Sequence, residues 1–415
     1  MAFLKIAMLP LILYSAACNG CNSGDGGQGL PELDVEQVPI EDRARAAAGL
    51  LDFGGRLLSR LHTEQPDRNL LISPSSLYSA LAQLSAGAKG ETQAQIADLL
   101  GFEFEPERQH EANGALEWML RQAADDAPYT LESASRLWGQ AGFQLVPECI
   151  ALMRRSYGAG LVPLDFQGDA EAARKEINDW VSNRTQGRIE DLMPAGSVDS
   201  LTRLVITTAV YFKGVWETPF PEAATRPEDF HRRDGSTVSA DFMHMKEEAR
   251  FADLGNALAL ELPYEGEQLD LLLLLPDDLD RFLAELDSRR LEELSGALQS
   301  VEVQIALPRF RFESALNLEG TLSALGVTAV FDAERADLSG LSDAPDLYVQ
   351  SVRHKTFIEV NEEGTEAAGA TGISLGVTSA PSRPNVFRAD RPFLFAIRHR
   401  SSGAVLFLGR VADPN

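Results

Sequence analysis

Along residues 41 to 62, Ala44, Ala48, Leu51, Phe53, Leu57, Leu58 and Leu61 stand among charges at the spacing of one helical face. Leu70 to Ile72 read as a short strand. Ser73 and Pro74 then start a helix, with the serine as cap and the proline in the first turn, and Gly87 ends it. A second helical stretch runs from Ile177 to about Asn183, with a turn at Gly187. Leu204 to Phe220 is a buried strand and its exit. Two β-rich blocks follow, A-L-E-L-P-Y-E-G and L-D-L-L-L-L-L-P; the run Leu271 to Leu275 is far too short to span a bilayer and reads as a sheet core. Val301 to Phe312 forms a strand pair around Pro308, and Leu318 to Leu325 a short helix ending at Gly326. Val352 to Val360 is a strand. The last block, Arg391 to Pro414, is a hairpin joined by Ser402-Gly403.

Between that last strand and the hairpin the pattern changes. From Gly364 to Gly372, only Thr365, Glu366 and Thr371 are larger than alanine. Such density of small residues is linker-like. Yet Ile373, Leu375 and Val377 alternate with Ser374, Gly376 and Thr378, which is strand periodicity. Carried backwards, the same phase puts Thr365, Ala367, Gly369 and Thr371 on the apolar side and Glu366 on the polar side. The segment is written to be a strand in one state and a loop in another, closed by Pro381, Ser382 and Pro384.

The 415 residues would ordinarily divide into two or three domains. Net charge is −25, which argues against nucleic acid, anionic membranes and heparin-like polyanions as partners. Lys5, the apolar run Ile6 to Tyr14 and the small residues Ser15 to Ala17 read as an export signal over residues 1–17. Cys18 follows at once, and S-A-A-C resembles the cleavage box of a bacterial lipoprotein, which implies lipidation of Cys18; an ordinary secretory signal is the alternative. Residues 18–40 are a glycine-rich tether. Cys149 is the one cysteine left for the fold, so no internal disulfide is available there, and its apolar surroundings point to packing.

Gly372-Ile373-Ser374-Leu375-Gly376 fits the G-x-S-x-G pattern of a hydrolase elbow, with Asp390 and His399 following in order. An elbow needs a buried strand before its serine and a helix after it, and V-T-S-A-P-S-R-P cannot be a helix. No metal-ligand spacing or phosphate-cradling loop is present, so no cofactor is expected.

G-T-E-A-A-G-A-T resembles the proximal hinge of an inhibitory serpin, a protease inhibitor whose loop inserts into a sheet of its own fold. Asn69, Ser73, Pro74, Ser76, Leu81, Gly87 and Thr92 stand in the places of that family's signature. So do Tyr211, Phe212, Gly214, Trp216, Phe220, Pro392, Phe393, Gly409 and Pro414. The resemblance covers residues 41–415. It implies an α+β serpin fold, a single domain of three β-sheets and about nine helices, monomeric, with an exposed reactive loop at about residues 362–384. It implies a hinge of Gly364, Thr365, Glu366, Ala367, Ala368, Gly369 and Ala370. It implies a scissile bond at Thr378-Ser379, with Val377-Thr378 and Leu375-Gly376 as neighbours. It implies a target protease, elastase- or subtilisin-like, held as a covalent acyl-enzyme, rather than turnover by this chain. Ser73, Ser76 and His354 are implied as the cluster over which the sheet opens, with Thr208 standing where most members carry asparagine. A surface binding protein on the same fold is the rival reading.

Overall fold

The computed structural model describes residues 33–124, 128–344, 346–365 and 384–415. The leader, Cys18 and the loop residues 366–383, with Glu366 to Ala370 of the hinge, Ser374, Thr378 and Ser379, lie outside the described residues. The described residues belong to the compact unit Glu32–Asn415. It begins ahead of the composition boundary at 41 because Val35 and Val38 bury against Ala115.

Nine α-helices are described: α1 (Ile40–Glu64), α2 (Pro74–Ser85), α3 (Gly90–Leu100), α4 (Pro106–Ala124), α5 (Pro147–Tyr157), α6 (Phe166–Arg184), α7 (Leu279–Ala284), α8 (Ser288–Ala297) and α9 (Glu319–Ala324). The strands are β1 (Leu70–Ile72), β2 (Thr130–Gln140), β3 (Leu161–Leu164), β4 (Leu204–Val215), β5 (Arg226–His231), β6 (Thr237–Asp253), β7 (Ala257–Pro263), β8 (Leu269–Pro276), β9 (Gln299–Pro308), β10 (Phe310–Asn317), β11 (Val349–Val360), β12 (Gly364–Thr365), β13 (Asn385–Arg388), β14 (Phe393–His399) and β15 (Val405–Val411).

Local chemistry explains several boundaries. Ser73 caps α2, its Oγ accepting from the Ser76 N–H at 3.4 Å, and Pro74 fills the first helical position. Gly101 and Gly158 end α3 and α5 at φ of 65° and 61°, a conformation that costs glycine little. All eight residues of β8 are buried, so its leucine run is core. Cys149 packs inside α5, 4.0 Å from the Met153 sulfur, and burial pushes its thiol up to about 11.

Hydrogen bonding arranges the strands in three sets, two of them joined. The set β5-β6-β9-β13 and the set β6-β7-β8-β14-β15-β1 share β6. The seventeen residues of β6 pair with β5 and β9 along most of its length and with β7 at its end, which fuses two of the three expected sheets into one ladder. The third set, β10-β11-β12-β4-β2-β3, stands alone.

Candidate functional site

The central strands of that third sheet, β4 and β11, are parallel neighbours from Leu204/Val349 to Tyr211/Phe357. At one end they part, and β12 sits between them. Thr365 pairs antiparallel with Val360 of β11, and Gly364 and Thr365 pair antiparallel with Val215 and Gly214 of β4. A tight turn feeds this wedge. The Asn361 N–H donates to the Gly364 carbonyl at 2.9 Å, and the Asn361 side-chain oxygen accepts from the Glu363 N–H at 3.1 Å. Trp216 holds the turn from outside, its backbone N–H donating to the Glu363 carbonyl and its indole N–H to the Asn361 carbonyl.

The mouth of the seam is tightly packed. A Cβ on Gly364 would stand 2.0 Å from the Gly214 carbonyl oxygen, so only glycine fits. Thr365 is 1 % exposed, its hydroxyl 2.7 Å from that of Tyr264. Tyr264 stacks on Trp216 with centroids 4.7 Å apart. Burial pushes the Tyr264 phenol upward, so it stays protonated. Glu362, also buried, accepts two bonds from the Arg309 Nε at 2.8 Å and one from the Thr225 hydroxyl. Burial alone would raise this carboxyl, but the bonds from Arg309 and Thr225 outweigh it and hold it below its ordinary range.

Further along the seam, Thr208 of β4 faces His354 of β11 in register. The Ser73 N–H donates to His354 Nε2 at 3.0 Å. Nε2 is therefore the acceptor and Nδ1 carries the proton, donated to the Thr208 hydroxyl oxygen at 2.7 Å. Thr208 passes its own proton toward the Arg353 carbonyl at 3.4 Å. A single hydroxyl thus serves as acceptor and donor at this point. Complete burial pushes His354 down to about 3, leaving the ring neutral. Ser73 and His354 meet through the serine backbone, whereas the Ser76 hydroxyl donates to the Ser73 carbonyl at 3.2 Å and makes no bond to His354. Thr356 and Ser314 tie the same sheet to β1 through the Leu71 carbonyl and N–H.

Glu362 with Arg309 and Thr225, and Tyr264 with Thr365, are not identifiable from the sequence. Nothing in the chain connects Glu362 to an arginine 53 residues earlier. The hydrolase alternative finds no assembly among the described residues. His399 bonds the Ser402 hydroxyl at 2.7 Å, and Asp390 pairs with Arg388 at 3.0 Å.

The described residues thus present a sheet parted at one end, with β12 seated between its two central strands. The family model described as Serpin (serine protease inhibitor) matches residues 48–414, and the chain belongs to the serpin family. It is similar to the human leukocyte elastase inhibitor, 39% identical over 374 residues, covering 87% of this chain and 97% of that protein. Among solved structures it resembles Serpin48 of the insect Tenebrio molitor, with a TM-score of 0.78 and 31% identity over 90% of this chain and 99% of that one. It also resembles the native state of the thermophilic serpin Tengpin, with a TM-score of 0.81 and 27% identity, covering 92% and 96% of the two chains.

Proposed function

We propose that this serpin is a suicide inhibitor. A target protease attacks the exposed loop as substrate, forms an acyl-enzyme and is trapped when the cut loop enters the seam between β4 and β11. The observation that carries this reading is β12, a first rung already seated between the two strands. Counting one for one from the Gly364–Val215 rung, β4 ends eleven residues on at Leu204, opposite Leu375. Counting from Thr365–Val360, β11 ends eleven residues on at Val349, opposite Gly376. Both counts bring Thr371 level with Thr208 and His354.

The seam thus offers rungs as far as Leu375 and Gly376. Burying Ile373 and Leu375 contributes roughly 1.5–3 kcal/mol each, and each new ladder bond about 1 kcal/mol net. Cleavage at Thr378-Ser379 leaves a strand that fills the slot with two residues over, which supports that bond as the productive one. Arg383 lies seven residues beyond Gly376, and an ester there would hang on slack chain. A small residue at the cleavage point and the name of the human relative support an elastase- or subtilisin-like target.

The leader supports export, with the chain either lipid-anchored through Cys18 at a bacterial cell envelope or secreted; diacylglycerol on Cys18 in mass spectra of the mature protein separates the two. Inhibition is tested by incubation with elastase-, subtilisin-, trypsin- and papain-like proteases. Denaturing gels and sequencing of the released C-terminal peptide follow. A denaturant-stable complex and a new N-terminus at Ser379 are expected, and turnover without complex overturns the reading.

A further inference from the structure

The seam is covered. Ile189 and Leu192, in the segment after α6, pack with Ala209 of β4, while the Glu190 carbonyl accepts from the Lys355 ammonium of β11 at 3.0 Å. Ala209 and Lys355 are register partners across the seam, one rung from Thr208 and His354. The cover therefore lies straight over the path of an entering strand.

It is also bound back onto α6. Asn178 exchanges two bonds with Met193, its amide donating to the Met193 carbonyl at 2.9 Å and its oxygen accepting from the Met193 N–H at 2.8 Å. The Arg174 guanidinium donates to the same carbonyl at 2.7 Å, and the Thr185 hydroxyl accepts from the Ile189 N–H at 3.1 Å. Lifting the cover must either break these bonds or carry α6 along.

Besides the apolar packing of Phe166, Ala173, Ile177 and Val181 on the sheet, α6 is held by a cation–aromatic contact. The Arg136 guanidinium, on β2, stands 4.0 Å from the centre of the Trp180 ring on α6 and 5.1 Å from that of Trp138. The two indoles meet edge-on at 5.3 Å, and the Trp138 N–H is fixed on the Thr207 hydroxyl of β4 at 2.8 Å. No carboxylate of the described residues pairs with Arg136, and the charge that acts on it is another cation, Arg184. Half-buried and without an acid, this guanidinium has the indole faces as its compensation.

We infer that Arg136 is a positioning residue for loop insertion. By clamping Trp180 it holds α6 and the cover on the β2–β4 side and sets how fast the seam opens. The inference rests on the insertion reading above, and the experiment separates the two.

The probe is an acetylated synthetic peptide of residues 365–376, added to the full-length native protein. Its annealing rate is followed on native gels and by thermal shift. Failure of the peptide to anneal to the natural protein, together with no trapped protease, sinks the insertion reading itself. Given annealing, Arg136→Met keeps the stem and removes the charge, and it should speed annealing about tenfold, the scale of one partly desolvated cation–π contact. Trp180→Leu should match it, and the double variant should be no faster than the faster single one. Arg136→Lys should stay within about threefold of the natural protein, since an ammonium keeps part of the attraction.

Loss of packing alone would lower the unfolding midpoint and leave the two effects multiplicative. Annealing of Arg136→Met within about twofold of the natural rate, or multiplicative effects in the double variant, overturns the inference. Should Arg136→Met fail to fold, Trp180→Phe carries the test, because phenylalanine keeps a ring with a weaker face. An annealing rate about threefold higher supports the clamp, and an unchanged rate overturns it.

Discussion

Replacing Thr365 by arginine tests the insertion mechanism at its first rung. Thr365 is already inside the sheet, 1 % exposed, with its hydroxyl on Tyr264 and the Tyr264–Trp216 stack beside it. Of the acids at the mouth, Glu362 is already taken up by Arg309 and Thr225. Losing the Tyr264 bond costs about 1 kcal/mol, and burying an unpaired cation costs several more. The native protein should respond by withdrawing the hinge from the seam, and the acyl-enzyme must then insert against that penalty. Inhibition is a race between insertion and hydrolysis of the ester. A penalty of about 3 kcal/mol on the barrier slows insertion roughly 150-fold, enough to reverse any partition that favours trapping by less than that factor. The assay is titration of a susceptible protease with Thr365→Arg, read as residual activity and as covalent complex on denaturing gels. The loop should be cut at the same bond, and the protease should leave active. Glu366→Arg, one residue on and in the opposite phase of the alternation, should be far milder. A denaturant-stable complex at natural yield from Thr365→Arg would refute the reasoning.

Three further outcomes are expected. Glu362→Gln should lower the unfolding midpoint at neutral pH. Its carboxyl is held below the ordinary range in the fold, so its contribution is present above the unfolded value of 4.5 and fades as pH falls through the folded one; the gap between variant and natural protein should therefore close in acid. Thr208→Val should leave the His354 Nδ1 proton unpaired and cost about 1–3 kcal/mol in denaturant unfolding; an unchanged midpoint would mean that bond contributes nothing. Thr378→Arg should redirect inhibition toward trypsin-like proteases, and cleavage by trypsin only after Arg383 would show the productive bond to be misassigned.

Much of this was legible in the sequence because the relevant signals are local. Ser73-Pro74 specifies a cap and a first turn, the leucine run of β8 specifies a core strand, and the small residues after Gly364 specify a chain that can enter a packed sheet. The mouth was not legible, because its contacts join residues far apart in the chain. Glu362 reads as one acid in an acidic run until Arg309 and Thr225 are folded against it. Thr208 reads as a departure at a position where asparagine is usual. Only the geometry shows that one hydroxyl, accepting from His354 and donating to Arg353, covers both roles. Nor could the sequence show that β6 is continuous, since strand pattern does not say which neighbours a long strand serves.

The placement of these features along one seam divides their roles. Opening a closed pair of parallel strands is costly at the start, because the first rung of a new strand must be made before any later rung compensates. Here that rung exists before cleavage, fixed by Gly364 against Gly214 and by the Asn361 turn. The barrier is thereby moved inward. The next obstacles are the backbone pairing of β4 with β11 and, on two adjacent rungs of it, the cover over Ala209 and Lys355 and the Thr208–His354 bond. Substitutions at Thr365 or Glu362 should therefore change whether insertion commits at all. Substitutions at Thr208 or Arg136 should change how fast a committed strand advances. On the insertion reading proposed above, the native state is a kinetic trap a few rungs short of collapse, with the neutral His354, α6 and the apolar packing of Ile177, Val181, Ile189 and Leu192 on the sheet standing in the way.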